Sequence, residues 1–253
     1  MRAAVLGLGE AGQRYAADLA AAGWLVSGYD PAPAPTPEGV ARAHSVADAV
    51  ADADLVLGLT GAVAAVTAAI EAAAAVRPGA CFADFNSASP GTKREVEKAF
   101  TPAGAKVADV AVLAPVPRRG AATPLLVSGA GAWVVADAFG AAGAEVEVLD
   151  APVGAAASRK LLRSVFMKGL AAAVLEAMSA AEAAGCQDWL RHQIAGELGP
   201  DGDAMIDRLI EGSAAHAARR IHEVRASREY LEELRVPAPV CDATLDWLRR
   251  LAG

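Results

Sequence analysis

Up to about residue 150 the chain alternates short apolar runs with longer stretches of helical periodicity. The runs predict strands at residues 3–6, 25–29, 55–59, 81–85, 106–112, 125–128 and 145–149. The helical patterns between them predict helices at 11–22, 46–51, 63–76, 90–100 and 133–142. Strands alternating with helices in this way imply an α/β fold, a parallel sheet with helices on both faces. The Pro-rich stretch 31–37 reads as a crossover loop. From Gly154 onward there are only helical patterns, the first running to about residue 184, with breaks near Gly185, 196–202 and 236–239. The chain is therefore expected to divide into a doubly wound sheet domain, residues 1–152, and an all-helical domain, residues 153–253.

Composition narrows the class. Of 253 residues, 54% are hydrophobic, 21% charged and only 5% aromatic, so the core must be built from small and branched aliphatics. A net charge of -7 argues against a nucleic-acid partner, because no broad basic surface is available to neutralise phosphates. The three cysteines, Cys81, Cys186 and Cys241, are too few and too scattered for a disulfide framework or a zinc site, which points to a cytoplasmic protein. The opening apolar run is broken by Gly7 and Gly9 too early for a secretion signal. The alanine-rich stretches carry Glu71, Glu176 and Glu182 and read as buried helices rather than membrane spans.

The most specific motif is Gly7-Leu8-Gly9-Glu10-Ala11-Gly12, between the first predicted strand and the first predicted helix. The first glycine permits a tight turn, the second lets backbone approach a pyrophosphate, and the third lets helix and strand pack closely. The helix N-terminus offers free N–H donors and the positive end of its dipole to the phosphates. Asp30 closes the second strand, where a carboxylate can accept hydrogen bonds from an adenosine ribose. The domain is thus read as a Rossmann domain binding NAD. NADP is less favoured, because Asp30 would face a 2′-phosphate with like charge and Pro31-Ala32-Pro33 supply no arginine. Arg42 is the basic residue that could reach in from the next segment. Thr60 and Asn86, just past two later strands, complete the candidate cofactor contacts.

These residues, together with Leu19, Ala22-Gly23 and Tyr29-Asp30-Pro31, resemble the start of the β-hydroxyacid dehydrogenases, the group of the 3-hydroxyisobutyrate and 6-phosphogluconate dehydrogenases. The resemblance continues through Asp84-Phe85-Asn86-Ser87-Ala88-Ser89-Pro90, a turn that in the family lies beside nicotinamide and substrate. It then covers Asp109-Val110-Ala111-Val112-Leu113-Ala114-Pro115, at the position of the substrate segment, and Gly154 to Lys160, where the family carries its catalytic lysine. It implies Lys160 as general acid–base, with Ser164 four residues on where the family usually has asparagine. Val112, Leu113, Ala114, Asn86, Lys168 and His222 are the implied substrate contacts. The run Lys160 to Gly169 is most similar to a 6-phosphogluconate-dehydrogenase-like branch.

Spacing alone leaves Lys160 open. Lys160, Ser164 and Lys168 share one helix face. A basic stripe of this kind is more commonly a solvated face than a site. The apolar neighbours Leu161, Leu162, Val165, Phe166 and Met167 suggest instead a helix buried on most sides. His216, Arg219, Arg220 and His222, read as one helix, could meet an anion, but they also fit a solvated surface; His44 and His192 are isolated. The departures matter too. Leu113, Ala114 and Pro115 replace the family's serine and glycines, and a leucine side chain donates no hydrogen bond.

The function implied is an NAD(P)-dependent dehydrogenase or reductase of a small, anionic hydroxyacid. The alternatives are an imine or ketone reductase on the same scaffold and a non-catalytic NAD(H)-responsive binding protein. No metal, nucleic acid or membrane partner is expected. A helical domain of roughly 100 residues is small for burying so long a helix alone, which, with the resemblance, implies a homodimer.

Overall fold

The computed structural model describes residues 1–253, which divide into two compact units, Met1–Lys160 and Leu161–Gly253. The first unit holds an eight-stranded sheet. Its strands are β1 (Arg2–Leu6), β2 (Leu25–Tyr29), β3 (Val40–Arg42), β4 (Leu55–Gly58), β5 (Cys81–Asp84), β6 (Lys106–Val112), β7 (Leu125–Ser128) and β8 (Val146–Val148). They lie in the order β3-β2-β1-β4-β5-β6-β7-β8, so β1 and β4 are adjacent at the reversal of strand order where a Rossmann sheet takes its ligand.

The helices of this unit are α1 (Glu10–Ala21), α2 (Val46–Val50), α3 (Ala65–Ala73), α4 (Pro90–Phe100), α5 (Val116–Arg119) and α6 (Ala132–Gly140). The apolar runs become central strands because both sheet faces are covered. Ala3 and Val5 of β1, Leu55 and Leu57 of β4, and Cys81 and Ala83 of β5 enter one core with Tyr15 and Phe139. The alternate residues, Ala4 and Leu6, Val56, and Phe82, enter the opposite core with Val96 and Phe100. Phe82 stacks on Phe100 at 4.4 Å between ring centroids. Burial pushes the Cys81 thiol up to about 12, with Lys106 pulling weakly the other way, so this cysteine is an inert part of the core.

Two features differ from the expected sheet. β7 runs antiparallel to β6. Pro115, Pro117 and Gly120 restrict the connecting segment to the four-residue α5 and a short 3-10 turn, so no crossover helix forms to carry the chain back. β3 is also additional. It is a three-residue edge strand, too short to leave a periodic signal.

α7 (Ala155–Ala183) is 29 residues long and runs from the first unit into the second. The second unit continues with α8 (Gln187–Leu198), α9 (Gly202–Ala215), α10 (Ala217–Glu233) and α11 (Pro239–Leu251). One core joins Ala171, Val174 and Met178 of α7 to Ile206 and Leu209 of α9. Another joins Val224 and Leu231 of α10 to Cys241, Leu245 and Leu248 of α11. The expectation of an α7 buried on most sides is corrected near its start: Leu162 is 45% and Phe166 66% exposed. No helix is long and apolar enough to cross a membrane.

Candidate functional site

The carboxyl ends of β1, β2, β4 and β5 lie side by side, since Leu6 pairs with Tyr29 and Gly58, and Gly58 with Asp84. The glycine-rich turn leaves β1 here. Gly7 has φ +98°, and a Cβ on it would sit 2.4 Å from the Leu59 carbonyl oxygen. A Cβ on Gly12 would sit 1.9 Å from the Gly7 oxygen, so this glycine lets α1 press against the turn. Gly9 is different: nothing of the protein lies within 4 Å of where its Cβ would be. It is also the N-cap of α1 and supplies no side-chain cap. Open space therefore adjoins uncapped N–H groups at a helix N-terminus, where a pyrophosphate fits.

Leu8 is fully buried and offers only its backbone, while the Glu10 side chain is exposed. The Leu8 N–H donates to Asp30 Oδ2 at 2.7 Å, and the Ala32 N–H donates to Asp30 Oδ1 at 2.8 Å. Each carboxylate oxygen keeps acceptor capacity for a ribose hydroxyl. Arg42 donates to the carbonyls of Asp30, Ala32 and Ala34 at 2.6 to 3.0 Å, and its guanidinium thereby shapes the Pro-rich loop. Just past β4, Thr60 has a buried hydroxyl with no protein partner. The neighbouring Gly61 N–H donates to Asn86 Oδ1 at 2.7 Å. The uncapped turn, the space over Gly9 and the orphaned Thr60 hydroxyl all suit a bound dinucleotide.

The turn after β5 carries the next part of the site. Asn86 is held by Asp84 Oδ1, which accepts from its backbone N–H at 2.9 Å and its amide at 2.8 Å. Ser87 follows it and is exposed, and Lys160 Nζ donates to Ser87 Oγ at 2.7 Å. Beneath them Lys93, only 1% exposed, donates to the Asp84 carbonyl at 2.6 Å. Its Nζ lies 3.2 Å from Asp84 Oδ2 and 3.4 Å from Asp109 Oδ1, ion-pair distances at which neither oxygen gains an aligned hydrogen bond. Asp109 Oδ2 accepts from the N–H groups of Gly154 and Ala157 at the start of α7.

The segment after β6, where the resemblance implies substrate contacts, is largely apolar. Val112 and Ala114 are half-buried, and Leu113 packs against Ala111, Leu126 and Ala156. Ser164, Lys168 and His222 belong to the second unit. There Lys168 pairs with Glu223 at 2.8 Å, Ser164 is half-buried, and His222 is exposed. His216 lies at the junction of α9 and α10, which corrects its expected place on one helix with Arg219, Arg220 and His222. Arg219 turns to Glu223 and Arg220 to Ser213 Oγ, and burial lowers the Arg220 pKa from its ordinary value. His44 and His192 are exposed.

Ser87 as the partner of Lys160, and Lys93, are absent from the sequence-based site. Lys93 did leave a signal: with Val96 and Phe100 it lies at i, i+3 and i+7, a lysine on the apolar face of α4.

Residues 2–132 match the family model described as the NAD binding domain of 6-phosphogluconate dehydrogenase, and residues 181–251 match a domain of unknown function, DUF1932. An uncharacterised 28.5 kDa protein of Methanothermus fervidus is 30% identical over 145 residues, 56% of this chain and 55% of that one. The chain thus matches about half the length of this curated relative. The structure of a conserved hypothetical protein from Sinorhizobium meliloti superposes with a TM-score of 0.78 at 31% identity, over 98% of this chain and 87% of that chain. Mycobacterium tuberculosis 3-hydroxyisobutyrate dehydrogenase, solved with L-serine, shares the fold, with a TM-score of 0.81 at 24% identity over 99% and 93% of the two chains. With a family model over more than half its length and this architecture behind it, the chain belongs to the β-hydroxyacid dehydrogenase-like family of NAD(P)-dependent oxidoreductases.

Proposed function

We propose that the protein is a dehydrogenase or reductase acting between the alcohol and carbonyl forms of a small, anionic hydroxyacid, with Lys160 as general acid–base. The observation that carries this reading is the 2.7 Å contact of Lys160 Nζ with Ser87 Oγ, on the turn whose Asn86 also holds Gly61 beside the dinucleotide-binding turn. The nicotinamide, when bound, serves as hydride acceptor or donor. In the oxidation direction Lys160 takes the proton of the substrate hydroxyl; in reduction it returns that proton to the oxygen. Ser87 orients the amine through its hydroxyl. Turnover on a panel of hydroxyacids, followed at the nicotinamide absorbance, tests the reading. The apolar Leu113 favours a second reading, an imine or ketone reductase, and turnover of cyclic imines without any hydroxyacid activity would select it. NAD binding with no turnover on either panel would leave a nucleotide-responsive binding protein.

Within the same assay, kcat/KM is expected to be higher with NAD than with NADP. Asp30 carries charge where a 2′-phosphate would lie, and Arg42 is already committed to three carbonyls instead of being available to that phosphate. Efficiency with NADP equal to or above that with NAD would remove Asp30 from the ribose.

The helical domain is read as a substrate and dimerisation domain. Leu162 and Phe166, exposed and one turn apart on α7, supply an apolar stripe for pairing with a second copy. A dimeric mass is expected in light scattering at micromolar protein. A monomeric mass would end this part of the proposal.

A further inference from the structure

We propose that Lys93 and Asp109 are positioning residues for Lys160, acting through the first turn of α7. The inference rests on the reading of Lys160 as the proton-exchanging group. Gly154, at the start of α7, has φ +99° and no side chain with which to cap the helix. Two buried side chains of the sheet cap it instead. Asp109 Oδ2 accepts from Gly154 N–H at 3.1 Å and Ala157 N–H at 2.9 Å, and Ser128 Oγ accepts from Ala156 N–H at 3.2 Å. Lys160 lies one helical turn beyond these amides.

The other end of the Lys160 contact hangs on the same ions. Asp84 Oδ1 fixes Asn86, the residue before Ser87, while Lys93 bridges Asp84 to Asp109. Asp84, Lys93 and Asp109 are each no more than 1% exposed. Two carboxylates and one ammonium leave a net negative charge in the core, which the positive end of the α7 dipole offsets. Buried ion networks are a weak source of stability, and apolar residues of similar volume often serve as well or better. What this network supplies is geometry, since it sets the start of α7 and the Ser87 turn in one register.

The test uses Asp109→Asn, whose amide oxygen the Lys93 ammonium would draw, leaving the NH2 against the Gly154 and Ala157 N–H groups. A second variant, Lys93→Met with Asp84→Asn, removes the bridge while keeping the net buried charge of the parent. Each is made in the full chain, alone and with Lys160→Met, and thermal melting checks that it is folded. Hydrogen exchange at Gly154 and Ala157 is expected to quicken at least about tenfold in Asp109→Asn, with β1 and β4 still protected. On the best hydroxyacid of the panel, kcat is expected to fall roughly 100-fold in either variant, the usual consequence of a misplaced catalytic group. KM for NAD should stay within about twofold. With Lys160→Met already present, neither change should lower kcat further. Unchanged exchange in Asp109→Asn, or an equal loss of kcat with and without Lys160, would overturn the inference. Parental turnover in Lys160→Met alone would instead overturn the reading of Lys160, and the exchange result would still judge the capping.

Discussion

Lys160→Met is expected to lower turnover by about two to four orders of magnitude, the usual worth of a positioned proton donor or acceptor. Methionine keeps the length and apolar stem of the lysine, so α7 should pack as before, and NAD affinity, measured by fluorescence titration, should change little. Raising the pH should restore nothing, because the new side chain has no proton to exchange. Ser87 provides a graded companion. Its hydroxyl accepts the Lys160 hydrogen bond but exchanges no proton with substrate in this reading, so Ser87→Ala should cost less. Turnover of Lys160→Met within a few-fold of the parent would make Lys160 a solvated surface charge and remove it from the mechanism.

The second large effect separates the glycines by what each one meets. Gly12→Ala puts a methyl 1.9 Å from a backbone oxygen of the turn, and no flexible side chain can yield there. α1 must move away from the turn, so a loss of about 3 kcal/mol is expected in urea unfolding, together with loss of NAD binding. Gly9→Ala meets nothing within 4 Å, and φ -70° suits alanine. Stability should therefore stay within about 0.5 kcal/mol of the parent. NAD affinity should nevertheless fall at least about tenfold, because the methyl fills the approach of the pyrophosphate. Unaltered NAD binding by Gly9→Ala would mean that the pyrophosphate does not lie over this residue.

Local pattern was enough for much of the fold. The seven anticipated strands are all present, the helix expected at 90–100 is α4, and that expected from 155 is α7. These elements depend on periodicity within a few neighbouring residues, and the sheet then buries both faces of each central strand. The glycine-rich turn was legible for a related reason: its conformation is set by the glycines themselves and by the strand and helix on either side.

What the sequence by itself determined is therefore the local geometry: the α/β alternation, the dinucleotide turn with Asp30, and a lysine one turn into a long helix. Tertiary structure alone decided which distant groups meet. The antiparallel course of β7 depends on a connection too broken by proline to form a crossover helix, and β3 exists only because β2 offers it an edge. Ser87 and Lys160 are 73 positions apart, and no periodicity relates them. Lys93 could be seen as a lysine on an apolar face, but its partners could not, since Asp84 and Asp109 converge on it only because β5 and β6 lie side by side and pair at those two residues. Burial makes such convergence matter. A charge removed from water must find its counter-ion among whatever groups the sheet order brings within reach, and that order is a property of the whole fold.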